Sequence, residues 1–352
     1  MLKLFFKLVS SAVLLLVTAF VFLLYWGPGH LPEPGEYQQA IHSYGSPSVD
    51  GQSDSIRVMS YNIAYGFGMG SDGTGYKPKT ADEIEANIRG MADRIREDGA
   101  DIVLIQEIDF DADRSGNMDQ IKMLSELTGL SYGAEAVSWD ANYVPFPYWP
   151  FSYHFGRTKS GGAILSRYPI VENRVMILNK PSENAWYYNR FYLYRFHQAA
   201  GIVVNSDTIY VVNNHLEAFS SANRMEHARS LADYVDVLSQ KHPILAIGGD
   251  MNALPSGSVK VSDFNDDSGD DYTGDQTMEI LTKIDGFTEI ARGADASDMN
   301  PRWYTFPTTV PNRRLDYIFV NNRFSFSASY VIESAGELSD HLPVGATIRF
   351  LP

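Results

Sequence analysis

The 352-residue chain has no cysteine. Disulfides, zinc–thiolate sites, thiol nucleophiles and a lipid-modified N-terminal cysteine are therefore excluded. The absence is compatible with an oxidising compartment without requiring one. Positive charge is also scarce: 28 Lys and Arg stand against 43 Asp and Glu, a formal net charge of −15. A protein that grips nucleic-acid phosphates non-specifically is usually basic, because its affinity comes from Lys and Arg releasing counterions. The acidity counts against a processive nucleic-acid binder, but not against an enzyme that meets one phosphodiester at a local metal site. No repeat of fixed period runs through the chain, and no GxGxxG or Walker A loop opens a helix. What is present, 44% hydrophobic residues and 13% aromatics, suffices for a sizeable packed core. The length allows one large domain or two ordinary ones.

From Leu8 to Trp26 no residue is charged, and Leu, Val, Phe and Ala dominate. Such a run is long enough to cross the hydrocarbon core as a helix. Lys3 and Lys7 precede it, while Glu33 and Glu36 follow it. The positive-inside rule then keeps the N-terminus in the cytoplasm and exports the remainder, periplasmic or extracellular. The alternative is a cleaved signal peptide ending near Val17-Thr18-Ala19, which would leave Phe20–Leu24 exposed at the new N-terminus. The chain thus divides into an anchor at residues 1–26, a Pro- and Gly-rich linker at 27–54, and a domain at 55–352.

Within that domain Ile56–Tyr61 is expected as a strand, and Thr80-x-x-Glu83 is a capping box opening a helix that Gly99 ends. Ile102–Ile105 is expected as a short buried strand with Glu107 just past its end. A helix follows at about Asp119–Thr128, a strand at Ala163–Ser166, a strand at Ile209–Val212, an amphipathic helix at Ala222–Gln240 and a strand at Ile244–Ile247. Late strands are expected at Leu315–Val320, Ala328–Ile332 and Val344–Phe350. Strands and helices mix without strict βαβ alternation, which predicts an α+β fold with largely antiparallel sheets.

The chemically capable residues recur in one position, at the ends of apolar strands. Asn62, Glu107, His215, Asp250 and Asn252 follow such strands, Asp316 opens one, and Asp340-His341 lies just before the last. Sheet ends converging on one rim would gather them in one cleft. Carboxylates, amides and histidines suit a hard, oxygen-seeking cation such as Mg²⁺ or Mn²⁺. They also supply a base and donors for phosphate oxygens.

Six short motifs occur in series: Met59-Ser60-Tyr61-Asn62, Leu104-Ile105-Gln106-Glu107, Asn213-Asn214-His215-Leu216, Gly249-Asp250-Met251-Asn252, Arg314-Leu315-Asp316-Tyr317 and Ser339-Asp340-His341-Leu342-Pro343. In this order and spacing the chain, from about Ile56 to Leu351, resembles the endonuclease/exonuclease/phosphatase superfamily (DNase I-like). The resemblance implies a four-layer α/β/β/α sandwich of two mainly antiparallel sheets flanked by helices. It also implies a Mg²⁺-dependent hydrolase of phosphoester bonds. Position by position, it makes Glu107 the principal metal carboxylate, with Asn62 and Asp340 as further ligands. Asp250 and Asn252 resemble the pair that orients the attacking water and holds a phosphate oxygen. His341 resembles the histidine set against the scissile phosphate, with Asp316 as its partner, and His215 a second phosphate-contacting histidine. Thr305 stands where the family often has a threonine near the metal. Asn214 departs from the family, which often has threonine there, and this bears on substrate preference.

Taken singly, Glu107 reads as a solvated strand end, His215 as a structural histidine and Asp340-His341 as a turn. Two acidic runs, Asp109-x-Asp111-x-Asp113 and Asp263-x-Asn265-x-Asp267, lack the Gly and closing Glu of an EF-hand loop. The first is expected as a loop at the cleft rim and the second, reaching Asp275, as a solvated insertion. Trp139–Phe155 carries eight aromatics and three prolines. It is expected as a lid packed on the sheet edge, or else as an aromatic platform for a base, a sugar or a bilayer surface, with Trp186–Tyr192 extending it. The substrate is then a phosphoester: a lipid headgroup, a small phosphoester or nucleic acid. The competing reading is a non-catalytic ligand-binding module on the same fold.

Overall fold

The computed structural model describes residues 2–45, 54–69, 78–267, 269–291 and 300–350. In chain order the elements are α1 (Leu2–Trp26), β1 (Gly35–Gln38), β2 (Ile41–Ser43), β3 (Ser55–Asn62), α2 (Ala81–Asp98), β4 (Ile102–Ala112), α3 (Gln120–Thr128), β5 (Tyr132–Val144), β6 (Gly156–Ser166), β7 (Ile170–Ile177), α4 (Trp186–Asn189), β8 (Phe196–Val204), β9 (Asp207–His215), α5 (Ser221–Ser239), β10 (Ile244–Asp250), α6 (Thr277–Leu281), β11 (Phe287–Glu289), β12 (Asp316–Asn321), β13 (Ser325–Val331) and β14 (Val344–Arg349).

Local signals in the sequence fix several boundaries. The Thr80 hydroxyl accepts from Glu83 N, and Glu83 Oε2 accepts from Thr80 N at 2.7 Å, so the capping box forms as expected. Gly99 ends α2 in the left-handed conformation at φ 71°, which costs a glycine little. Asp119 caps α3 and Ser220 caps α5 through their side-chain oxygens.

The strands form two seven-stranded sheets, β1-β7-β8-β9-β10-β12-β11 and β13-β14-β3-β4-β6-β5-β2. Neighbours are antiparallel except for β9 with β10 in the first sheet and β3 with β4 in the second. The sheets pack face to face over Ile56, Val58, Leu104, Ile164, Val211 and Leu245. Ile84, Ile88, Met91 and Ile95 of α2, with Ile121 and Leu124 of α3, cover the outer face of the second sheet. Leu231, Val235 and Leu238 of α5, with Met278 and Leu281 of α6, cover the first. This is the expected four-layer sandwich. Toward one end the apolar interior gives way to amides: Gln106 Nε2 donates to Asn213 Oδ1 at 2.6 Å, and Asn213 Nδ2 donates to Ile105 O and Gln198 Oε1. Because each buried polar atom needs a partner, this network fixes how the sheets face one another.

Several expectations are corrected. β4 does not stop before Glu107 but runs on to Ala112, so Asp109 and Asp111 lie in a strand and not in a rim loop. Asp109 is tolerated there because the Arg114 guanidinium pairs with it, both side chains being buried. The segment expected as a free linker contributes β1 to the edge of one sheet and β2 to the edge of the other. The stretch reaching Asp275 is not merely solvated. Buried Arg313 holds Asp266 and Asp270, Arg224 holds Asp275, and Phe264 and Tyr272 pack on Leu315. In the Trp139–Phe155 stretch the lid expectation holds only at the root: Trp139, Val144 and Phe155 are buried, while Tyr148, Trp149 and Phe151 face solvent.

Candidate active site

The two parallel strand pairs set the location of the site. Parallel neighbours end at the same edge, so β3 and β4 deliver Asn62 and Glu107 to one rim while β9 and β10 deliver His215 and Asp250 to the facing rim. Antiparallel β12 begins where β10 ends, with Asp316 opposite Asp250 in register, as His215 is on the other side. Antiparallel β14 begins opposite Ser60, which sets Ser339–Leu342 beside Asn62. Ser339 Oγ completes that seam by donating to Asn62 O at 2.7 Å.

Glu107 occupies a bulge, unpaired between Gln106 and Ile108, with φ at 55°. Left-handed backbone is strained for a glutamate, and a bulge re-aims the side chain of a strand. Here the effect is to turn the carboxylate toward the cleft, where it is 23% exposed. Desolvation, then the charges of Asp340 and Asp250, push it up to about pKa 7, against the opposing charges of Arg195 and His341. Asp250 is raised to about 6, by burial first and by Asp316. Its Oδ1 accepts from Asn252 N at 2.8 Å and its Oδ2 from Asn62 Nδ2 at 3.0 Å. Asn252 itself sits at φ 49°, a conformation asparagine tolerates better than most residues, and its Nδ2 donates to Leu216 O.

His341 lies against Asp316, Nδ1 to Oδ2 at 2.8 Å, with its Nε2 3.7 Å from Asp250 Oδ2. Burial opposes charge on this imidazole, but the carboxylates of Asp316 and Asp250 override it and hold its pKa well above the usual range. His215 differs. Burial, then the neighbouring Arg195 and His341, hold its pKa well below the usual range, so the ring is neutral. Its Nε2 stands 3.6 Å from both Glu107 Oε1 and Asp250 Oδ2. The site therefore contains one charged and one neutral histidine around the same carboxylates.

Asp250, Asp316 and His341 have ligand atoms all within 4.8 Å of one another, and Asp316 Oδ1 is buried with no hydrogen-bond partner. Glu107, Asp340 and Asn62, the ligands expected from the sequence, lie outside that cluster, but their oxygens are of the donor type a hard divalent cation takes. Glu107 repelled by two other carboxylates is also the condition a cation would relieve. Asn62 Oδ1 accepts from Ala64 N at 3.0 Å, and an amide oxygen has a second lone pair to offer.

Thr305 and Asn214 are both tied into the framework around the site. Thr305 Oγ1 accepts from Leu315 N and Asp316 N, so it sets the entry of β12 and hence Asp316. Asn214 points away from the cleft into the layer below α5, where its Oδ1 meets His197 Nδ1 at 2.9 Å and its Nδ2 donates to Gly248 O. Strand alternation sends residue 214 opposite to His215, so the departure from threonine does not touch a substrate directly.

Sequence reasoning missed Arg195. It is buried with Nη1 against the His215 ring, 3.7 Å from Glu217, whose other oxygen accepts from Tyr192 OH at 2.6 Å. Its only signal was a lone cation in the aromatic run Tyr192-Leu193-Tyr194-Arg195-Phe196. Arg114 and Tyr65 were missed as well. The guanidinium lies 3.7 Å over the Tyr65 ring, and Glu107 is among the charges that raise the Tyr65 hydroxyl pKa.

A model of the Endonuclease/Exonuclease/phosphatase family matches residues 59–341. None of the curated proteins matches the chain. Among solved structures, an endonuclease/exonuclease/phosphatase from Beutenbergia cavernae superposes with TM-score 0.56 at 20% identity, over 85% of this chain and 72% of that one. The mannosyl-6-phosphatase Bt3783 of Bacteroides thetaiotaomicron gives TM-score 0.55 at 16% identity, over 84% and 100%. A humanized D. rerio TDP2 gives 0.54 at 13%, over 84% and 100%.

Proposed function

The chain belongs to the endonuclease/exonuclease/phosphatase family, and from that premise we propose that it is a membrane-anchored, metal-assisted phosphoester hydrolase acting by in-line attack of water. The observation carrying this reading is the placement of His341, held by Asp316, and His215 on the two sides of the Asp250 carboxylate, in surroundings that favour charge on the first ring and oppose it on the second. A phosphoryl group at that point would meet donors of both kinds beside a group able to accept a proton.

In this reading Glu107, Asn62 and Asp340 hold Mg²⁺ or Mn²⁺. The bound cation supplies electrophilic stabilisation of charge on the phosphoryl oxygens. Asp250 and Asn252 orient the attacking water, and Asp250, with its pKa near 6, accepts the proton as the new oxygen–phosphorus bond forms. His341, His215 and Arg195 contact the phosphoryl oxygens as charge shifts to the leaving oxygen. A structural neighbour named as a mannosyl-6-phosphatase supports including phosphomonoesters alongside diesters in any substrate panel.

The anchor rests on α1, whose 25 residues rise about 38 Å, more than a hydrocarbon core of about 30 Å. Lys3 and Lys7 at its start support a cytoplasmic N-terminus and an exported catalytic domain.

The test uses the full-length protein in detergent with an aryl phosphodiester and an aryl phosphomonoester, with Mg²⁺, Mn²⁺ or EDTA. Turnover lost in EDTA and in both Glu107→Gln and His341→Ala supports the hydrolase. Well-folded protein that binds metal but turns over neither substrate would favour the non-catalytic binding module.

A further inference from the structure

The base of α1 is built into the domain at one place. Arg190 donates from Nε and Nη2 to Leu24 O at 3.2 Å, and Asn142 Nδ2 donates to Trp26 O at 2.9 Å. Tyr143 N donates to Gly27 O and His30 N to Asp140 O. Phe191 packs so closely on Gly27 that a Cβ there would sit 2.6 Å from its ring. The rest of the helix, residues 2–22, is exposed throughout. The helix therefore leaves the domain at the segments around Asn142 and Arg190.

Those two segments also carry the exposed aromatics. Tyr148, Trp149 and Phe151 follow β5, and Trp186 and Tyr187 open α4, with Trp149 75% exposed. Phe219, 81% exposed, lies two residues past Glu217 and donates its backbone N–H to that carboxylate. The rings support one another edge to face, Trp149 on Phe151 at 5.1 Å and Trp186 on Tyr187 at 5.9 Å. They are rooted in buried Trp139 and Phe155, whose indole Nε1 and ring edge tie them to Phe191 and Phe146. Exposed apolar surface of this extent costs free energy in water unless something covers it.

Chains of side-chain contacts link this rim to the site. On one side Phe155 lies under Arg114, which stacks on Tyr65. On the other, Tyr188 stacks on Tyr192, which donates to Glu217 opposite Arg195.

We propose that the aromatic rim docks in the outer face of the same bilayer that α1 spans, and so holds the mouth of the cleft at headgroup level. This rests on the reading of α1 as a retained anchor. The occupant follows from continuity: the helix ends at the rim, so the bilayer surface begins there, and Trp and Tyr favour that interface. Two points of attachment, the helix and the rim, fix the domain's tilt where the helix alone would let it swing.

The absence of cysteine makes the test direct. Single-cysteine variants Trp149→Cys, Trp186→Cys and Phe219→Cys of the full-length protein carry a nitroxide label in nanodiscs of phosphatidylethanolamine and phosphatidylglycerol. Val237→Cys, near the far end of α5 and about 24 Å along that helix from Ser221, serves as control. Collision with oxygen relative to a water-soluble nickel reagent reads depth. The expected result is a bilayer-side depth at the three rim positions and an aqueous value at residue 237. Rim labels with the aqueous value of the control, or a depth at residue 237 equal to theirs, would overturn the proposal. The measurement requires no turnover, so an inactive protein would sink the hydrolase reading and leave this one standing.

Discussion

His341 shows how two residues can share one function. Its pKa is raised because Asp316, and behind it Asp250, outweigh the cost of burial. A raised imidazole pKa means that the folded protein holds the proton more tightly than the unfolded chain. The stabilisation is complete below the ordinary histidine value and is lost as pH rises through the folded value. In Asp316→Asn the main partner charge is gone, so His341 loses its proton at lower pH. Turnover at neutral pH should fall by about 10²- to 10⁴-fold, the range of a lost acid–base partner. The alkaline limb of the pH–rate profile should move to lower pH. An unchanged limb would mean that the histidine–carboxylate pair does not set it.

Glu107 and Asp250 carry the same sign for a different reason, since here it is the charged form that the fold disfavours. Their folded values, about 7 and about 6, lie above the ordinary carboxylate range. Between that range and neutrality the folded state binds more protons than the unfolded chain, so metal-free protein loses stability as pH rises through this window. A divalent cation removes the cause. The rise in melting temperature on adding Mg²⁺ should therefore be small near pH 5 and grow toward pH 7, because protons and metal compete for the same oxygens. Differential scanning fluorimetry at both pH values, with and without EDTA, reads this. A Mg²⁺ effect that is independent of pH, or lost in no Glu107 variant, would refute it.

Among the elements, β4 carries the clearest local lesson. Its second half is acidic, and acidic residues argued for a loop; the strand persists because Arg114, five residues past Asp109, is folded back and buried against it. Removing one member leaves the other charged without a partner, at a cost of about 3–5 kcal/mol. Arg114→Met should lower the denaturation midpoint accordingly, and the double variant Asp109→Asn/Arg114→Met should recover part of the loss. A single variant as stable as the native protein would show the pair to be dispensable. This is also where legibility in the sequence ended. Asn62, His215, Asp250 and Asp316 were readable because each adjoins a strand whose apolar run is unmistakable, and parallel or antiparallel pairing then forces them to one rim. Arg195, Arg114 and Tyr65 were not. A buried cation is betrayed only by its partners, and Glu217 lies 22 residues from Arg195. The bulge at Glu107 was invisible as well, since no residue type announces a left-handed glutamate. β1 and β2 were hidden for another reason: their partners are distant edge strands, and their own composition is that of a linker.

At the level of the whole molecule, anchor, rim and cleft bear on substrate choice. An anchored enzyme meets substrates in its own membrane at an effective concentration in the millimolar range, whereas a dissolved substrate gains nothing from the anchor. The gain is realised only if the cleft mouth stays at headgroup depth, which is what the proposed docking of the exposed aromatics beside α1 would provide. Acidity adds to the preference. A chain of net charge −15 repels a long polyanion but tolerates a single phosphoester held by a cation. The triple variant Trp149→Ser/Trp186→Ser/Phe219→Ser should therefore lose at least about tenfold in turnover of a headgroup phosphoester in nanodiscs, through lost local concentration rather than lost chemistry. Its turnover of a soluble aryl phosphodiester in detergent should be unchanged, since none of the three rings touches the carboxylates or histidines. Equal losses on both substrates would mean that the rim supports the catalytic fold itself. No loss on either would mean that α1 alone positions the cleft.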